Sequence, residues 1–121
     1  MVYAGASAGS NLACPTVRTT NDMPIVEPHS LDALGLVCFQ INPHYVDPAP
    51  GSTHMGETRE TRILEFHEEN DVPVVGLREG AILRVEGRSV LLKGAAGARI
   101  FRRGQDPVEV APGAEIAPLL E

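Results

Sequence analysis

Apolar positions along this chain come in short blocks separated by glycine, proline and charge. Leu36-Val37-Cys38-Phe39-Gln40-Ile41 and Pro73-Val74-Val75-Gly76-Leu77 are nearly continuous blocks, the pattern of strands covered on both faces. Asn42-Pro43 ends the first. Between them Ile63 and Phe66 follow Thr58 at helical spacing, which predicts a helix from 58 to about 70 that buries those two residues. Near the start, Val2-Tyr3-Ala4 reads as the end of a strand, residues 5–9 as a sharp turn, and Ser10-Asn11-Leu12-Ala13 as a helix stopped by Pro15. Residues 16–28 are polar and punctuated by proline, so a long ordered loop is expected there, then a short helix over 30–34. A second loop, rich in proline and glycine, covers 47–56.

The tail changes character. Ala81-Ile82-Leu83-Arg84-Val85-Glu86, Ser89-Val90-Leu91-Leu92, Arg99-Ile100-Phe101 and Val108-Glu109-Val110 are short runs divided by glycine and charged turns, which predicts an antiparallel meander. Strands alternating with helices ahead of that meander give an α/β class. The expected division is an α/β segment over 1–80 and a β meander of the same domain over 81–121.

The whole is 121 residues, one domain at most. An apolar share of 43% with 21% charged residues suits a folded chain, and 12 Gly with 10 Pro agree with many turns. The charge of −6, with Lys93 the single lysine, argues against nucleic acid as a partner. No run approaches the roughly 20 apolar residues of a membrane helix, and the first residues lack the basic and apolar regions of a leader. A cytoplasmic setting is therefore expected, with no membrane association. Cys14 and Cys38 form no CxxC pattern, so both are expected to be buried free thiols.

Ser7, His44 and Glu79 each follow a strand-like block at its carboxyl end, the edge at which open α/β sheets assemble their sites. Ser7 also lies in a G-x-S-x-G turn, whose small residues let a strained bend hold the hydroxyl out. A neutral serine is a poor nucleophile; His44 can take its proton, Glu79 can orient the imidazole, and the Ala8 amide can serve as an oxyanion donor. Plainer readings stand beside this one. Ser7 can be an N-capping residue, His44 a loop cap, and Glu79 a solvated turn residue. The order Ser, His, acid differs from that of α/β-hydrolases. His29, His54 and His67 form no close ligand pair, and neither metal nor cofactor is expected.

Five segments taken in order are more specific than any of these. Gly5-Ala6-Ser7-Ala8-Gly9-Ser10-Asn11, the stretch from Cys14-Pro15-Thr16 through Asn21-Asp22-Met23-Pro24, Phe39-Gln40-Ile41-Asn42-Pro43-His44-Tyr45, Gly56-Glu57-Thr58-Arg59-Glu60 and Gly76-Leu77-Arg78-Glu79-Gly80 together resemble peptidase E. That family consists of α-aspartyl dipeptidases, serine peptidases with a fold similar to class I glutamine amidotransferases. The resemblance covers residues 2–80 closely and the tail more loosely. It implies a doubly wound, flavodoxin-like sheet, Ser7 as nucleophile, His44 as general base and acid, Glu79 as third triad member, and hydrolysis of dipeptides with N-terminal aspartate. It also implies that Arg59 reads the substrate's side-chain carboxylate, a task suited to a planar guanidinium. Without it, Arg59 would read as an exposed helix-start arginine paired with Glu57 or Glu60. Asp22 can pin its own loop or contact the substrate's amino group, with membership of the triad ranked last. Arg78 stands directly before Glu79 where the family usually has proline, and its charge is expected to depress the acid's pKa or move the turn.

In the family, several βα units precede the nucleophile strand, and here Met1 stands almost on the turn. The resemblance is therefore to the family's C-terminal half. An N-terminal partner chain is expected to complete the fold, in a two-chain or interrupted enzyme that forms a homo-oligomer of the completed unit. The alternatives are a non-catalytic remnant acting as a binding or assembly module, and a cyanophycinase-like hydrolase.

Overall fold

A computed structural model of the chain describes residues 3–19, 33–47 and 59–120. In chain order these form α1 (Ala8–Ala13), β1 (Gln40–Pro43), α2 (Arg59–Glu69), β2 (Val74–Leu77), β3 (Ala81–Glu86), β4 (Ser89–Gly94), β5 (Ala98–Phe101), β6 (Val108–Val110) and a closing 3-10 turn (Ala117–Leu120). The blocks around 40 and 75 pair in parallel as β1 and β2, with α2 between them in sequence. Strand β5 then adds antiparallel to β2, and β6 antiparallel to β5, in the order β1-β2-β5-β6. The result is an α/β architecture on a mixed sheet, beside a separate β3-β4 hairpin.

Alternation along β2 divides the core. Val75 joins Phe39, Ile41, Leu92, Ile100 and Ile116 in the larger cluster, whereas its neighbour Val74 joins Tyr45, Ile63 and Phe101. Successive strand residues face opposite sides, so both faces of β2 are covered. Ile63 of α2 covers the second face and is 1% exposed. Burying each such side chain stabilises the fold by about 1.5–3 kcal/mol.

Polar side chains bind the segment after α1 to β1. The Ile41 carbonyl accepts from Asn11 Nδ2 at 3.0 Å and Thr19 Oγ1 at 2.8 Å. Gln40 donates to the Thr16 carbonyl at 3.1 Å and accepts from the Thr16 amide at 3.0 Å, and Asn42 Nδ2 donates to the Thr19 carbonyl at 2.9 Å. Gln40, Asn42, Asn11 and Thr19 are all buried, so each needs the partner it has.

Several expectations are corrected. The strand expected over 36–41 begins only at Gln40 and extends to Pro43. Ahead of it, Gly35 takes a positive φ of 63°, and the amides of Ala33, Leu34, Gly35 and Val37 bond to the carbonyls of Pro15, Leu12, Cys14 and Ala13. The Val37 bond occupies a donor that a longer strand would use. Ala33 and Leu34 are accordingly not helical, and residues 30–32 lie outside the described ones. Cys38 is exposed in this bent approach while Cys14 is buried, and both thiols are free. Tyr3 and Ala4 pair with no strand among the described residues, and Val2 lies outside them. The tail forms all four strands expected of it but divides them: β3 and β4 make the hairpin, β5 and β6 extend the main sheet. The expected cap, Thr58, is outside the described residues.

Candidate active site

The parallel register aligns Pro43 with Leu77, so β1 and β2 end level and the residues after them emerge at one edge of the sheet. His44 follows β1 and Glu79 opens the turn between β2 and β3. His44 Nδ1 is hydrogen-bonded to Glu79 Oε1. An ionised carboxylate only accepts, so in that pairing the hydrogen of the bond is carried by Nδ1, and Nε2 is the ring nitrogen that the bond leaves free.

Ser7 precedes α1 at φ 52°, ψ −116°, a backbone state in which a β-carbon is crowded. It occupies the N-cap position, yet its hydroxyl makes no capping hydrogen bond. The capping role is therefore not what this serine performs. Its turn is tight: a β-carbon on Gly5 would lie 2.8 Å from the Gly9 carbonyl group and 2.9 Å from the Tyr3 hydroxyl, which donates to the Gly9 carbonyl at 2.6 Å. A β-carbon on Gly9 would meet only that hydroxyl, at 3.6 Å. The Gly9 and Ser10 amides bond back to the carbonyls of Ala6 and Ser7, both at 2.9 Å, and the Ala8 amide stands between these and the serine.

Ser7, His44 and Glu79 line one cavity of about 960 Å³, together with Ala6 and, from the hairpin, Ile82 and Arg84. Among the described residues whose backbone takes a positive φ, the only two that are not glycine are Ser7 and His44, at 52° and 54°. Such states cost about 1–3 kcal/mol each and cluster at functional sites. Charge relay geometry of the serine type needs a hydroxyl, an imidazole and an orienting carboxylate around one space, and these three supply the groups.

A family model described as Peptidase family S51 matches residues 1–93. The chain belongs to peptidase family S51. A protein named peptidase E from Streptomyces coelicolor is 66% identical over 119 residues, which is 98% of this chain and 49% of that protein. A probable alpha-aspartyl dipeptidase from Drosophila melanogaster is 48% identical over 119 residues, and a peptidase E from Nostoc is 49% identical over 120. The chain spans about half the length of the curated relatives it matches.

Not every residue singled out in this S51 chain gathers at the cavity. Arg59 opens α2, half-buried, and is not among the cavity-lining residues; its Nε is buried and has no hydrogen-bond partner among the described residues. Its neighbour Glu60 faces Arg99 Nη1 at 3.8 Å. Asp22, His29, His54 and Glu57 lie outside the described residues. His67 is buried on α2, where its Nε2 pairs with the Val72 carbonyl at 2.9 Å.

Arg78 stands directly before Glu79. Its guanidinium does not engage Glu79: Nε and Nη2 donate to Asp47 at 2.9 and 2.8 Å, and Nη1 and Nη2 donate to Glu109 at 3.0 and 2.5 Å. The Arg78 fork holds the Asp47 carboxyl below the usual carboxylate range, while Asp47 and then Glu109 push the guanidinium's own pKa further up. Burial raises the Tyr45 phenol above its ordinary value.

Asn11, Thr19 and Gln40 hold the serine turn's helix and the histidine strand together, and the residue patterns did not single them out. Their one signal was polarity inside otherwise apolar or helical blocks.

Proposed function

We propose that this chain carries the catalytic groups of a serine peptidase that hydrolyses dipeptides with N-terminal aspartate. The observation that carries the proposal is the cavity shared by strained Ser7 and the hydrogen-bonded His44-Glu79 pair. The family and the printed names of the relatives, peptidase E and probable alpha-aspartyl dipeptidase, support the reaction class and substrate.

Ser7 Oγ attacks the carbonyl carbon of the aspartyl residue as His44 Nε2 takes the hydroxyl proton. Glu79 keeps the other ring proton on Nδ1 and stabilises the imidazolium. The Ala8 amide donates to the oxyanion. Collapse breaks the C–N bond, His44 returns the proton to the leaving amine, and an ester to Ser7 remains. Water, deprotonated by His44, then attacks the ester and releases aspartate. Arg59 is the proposed reader of the aspartyl side-chain carboxylate, supported by its buried Nε, which has no hydrogen-bond partner among the described residues, with Asp22 the proposed contact for the substrate's amino group.

We further propose that the described sheet is one side of a doubly wound, flavodoxin-like unit. The rest of that unit, as a second chain or a second segment, completes the site, and the completed units associate as a homo-oligomer. Two free thiols suit a cytoplasmic setting.

The test is hydrolysis of an aspartyl chromogenic amide against glutamyl, alanyl and asparaginyl analogues, by the chain with and without the remaining half of an S51 unit. Preference for the aspartyl amide that disappears in Ser7→Ala is expected. Activity that survives Ser7→Ala ends the serine mechanism, and a retained aspartyl preference in Arg59→Ala ends the reader assignment.

A further inference from the structure

His44 and Glu79 are both solvent-exposed, with side chains 45% and 77% accessible. An exposed pair of this kind contributes about 0–1 kcal/mol and does not by itself hold two loops in register. Something else has to fix the His44 turn against the Glu79 turn. The chain places three contacts between those turns. The Tyr45 amide donates to the Leu77 carbonyl at 3.0 Å. The Arg78 guanidinium lies 5.6 Å from the centre of the Tyr45 ring. The same guanidinium grips both oxygens of Asp47 in a fork at 2.8 and 2.9 Å. Tyr45 follows His44 directly and Asp47 is three residues after it, and Leu77 and Arg78 lead directly into Glu79.

The grip is itself anchored. The other edge of Arg78 holds both oxygens of Glu109 on β6, and Arg99 of β5 stands 3.7 Å from both Asp47 and Glu109. Arg78 is the least exposed member of its ion pairs, at 20%, so solvent screens it less than it screens His44 and Glu79.

We propose that Arg78 is a positioning residue which, through Asp47, fixes the His44 turn against the Glu79 turn and so keeps the His44 Nδ1–H bonded to Glu79. Two carboxylates on two edges require a planar fork, which lysine cannot supply. The inference rests on reading His44 and Glu79 as members of the proposed triad.

The test is the tautomer of His44, read from its two ring ¹⁵N shifts in the 121-residue chain. The wild type is expected to be mainly the Nδ1–H form, and Glu79→Gln to lose that preference. Arg78→Gln, Asp47→Asn and Arg78→Lys are expected to lose it as well, whereas Arg84→Gln, whose guanidinium pairs with Glu86, keeps it. If Arg78→Gln does not fold, Asp47→Asn, which keeps the side chain's shape, reads the same contact. A wild-type tautomer in folded Arg78→Gln, Asp47→Asn or Arg78→Lys overturns the proposal, as does a tautomer insensitive to Glu79→Gln. In the active enzyme, Arg78→Gln is expected to lower kcat for the aspartyl amide by about 10²-fold, the order of a misplaced catalytic group, with KM little changed. Ser7→Ala leaves the tautomer as it is, so failure of the nucleophile assignment shows in activity alone and failure of this one in the tautomer.

Discussion

Ser7 and His44 lie far apart in sequence, yet each leaves its preceding segment through a left-handed turn, with φ 52° and 54°, and both side chains face the same cavity. Such φ values push a β-carbon against the backbone, so each turn holds strain that the surrounding structure has to offset. Ser7→Gly removes the strain together with the hydroxyl. Allowing for the greater freedom of an unfolded glycine, the variant is expected to gain about 1 kcal/mol in urea denaturation while losing all aspartyl-amide hydrolysis. A loss of stability instead would show that the serine side chain supports the turn rather than burdening it.

Gly76 is the place where β2 passes under Tyr45. A β-carbon there would lie 2.9 Å from two ring carbons of Tyr45 and 3.2 Å from the Arg99 carbonyl. The ring is buried against Phe101, 5.5 Å between centroids, and has little room to retreat. Gly76→Ala is expected to cost about 1–3 kcal/mol as overpacking and to shift the backbone amide signal of the adjacent His44. An unshifted His44 signal would mean that the strain escapes toward Arg99.

The pH dependence of stability should carry the signature of Asp47. Its folded pKa is depressed by the Arg78 fork first of all, so the stabilisation is present above the unfolded carboxylate value of about 3.9 and is lost as pH falls through the lower folded value. Asp47 is about half exposed, which keeps the effect at or below about 1 kcal/mol. Urea midpoints of the wild type and Asp47→Asn are expected to differ more at pH 7 than at pH 2. A gap that widens in acid would contradict the sign.

The two thiols should behave differently. Burial pushes the Cys14 thiol up to about 11, leaving about one molecule in a thousand as thiolate at pH 8, while Cys38 is exposed. Alkylation of the folded chain is expected to stop at one equivalent and to vanish in Cys38→Ser, with the second equivalent appearing only in denaturant. Two fast equivalents would place Cys14 within reach of solvent.

The parts legible in the sequence were those set by local chemistry. The apolar blocks at β1 and β2, the helix stop at Pro15 and the strand-end positions of His44 and Glu79 all follow from residue type and short-range order, whereas the strand expected ahead of Ser7 is not found over Tyr3 and Ala4. What escaped was set by contacts between distant residues. Gly35 and its bonds to residues 12–15 shortened β1 and exposed Cys38. Gln40 looked like an interruption of an apolar run, and its partner Thr16 is known only once the chain has folded back. Arg78 was read beside Glu79 because it precedes it, although its actual partners come from the loop after β1 and from β6.

The serine turn also bears on how such turns are recognised. Gly5 is enforced by a carbonyl 2.8 Å from where a side chain would begin, whereas the space at Gly9 accepts a β-carbon at an ordinary 3.6 Å. The two glycines of G-x-S-x-G thus do unequal work here. A pattern that demands both would discard workable variants, and one that demands Gly at the first position and any small residue at the last would keep them. Residue 9 is correspondingly the position to randomise in a library meant to vary this turn, with residue 5 held fixed.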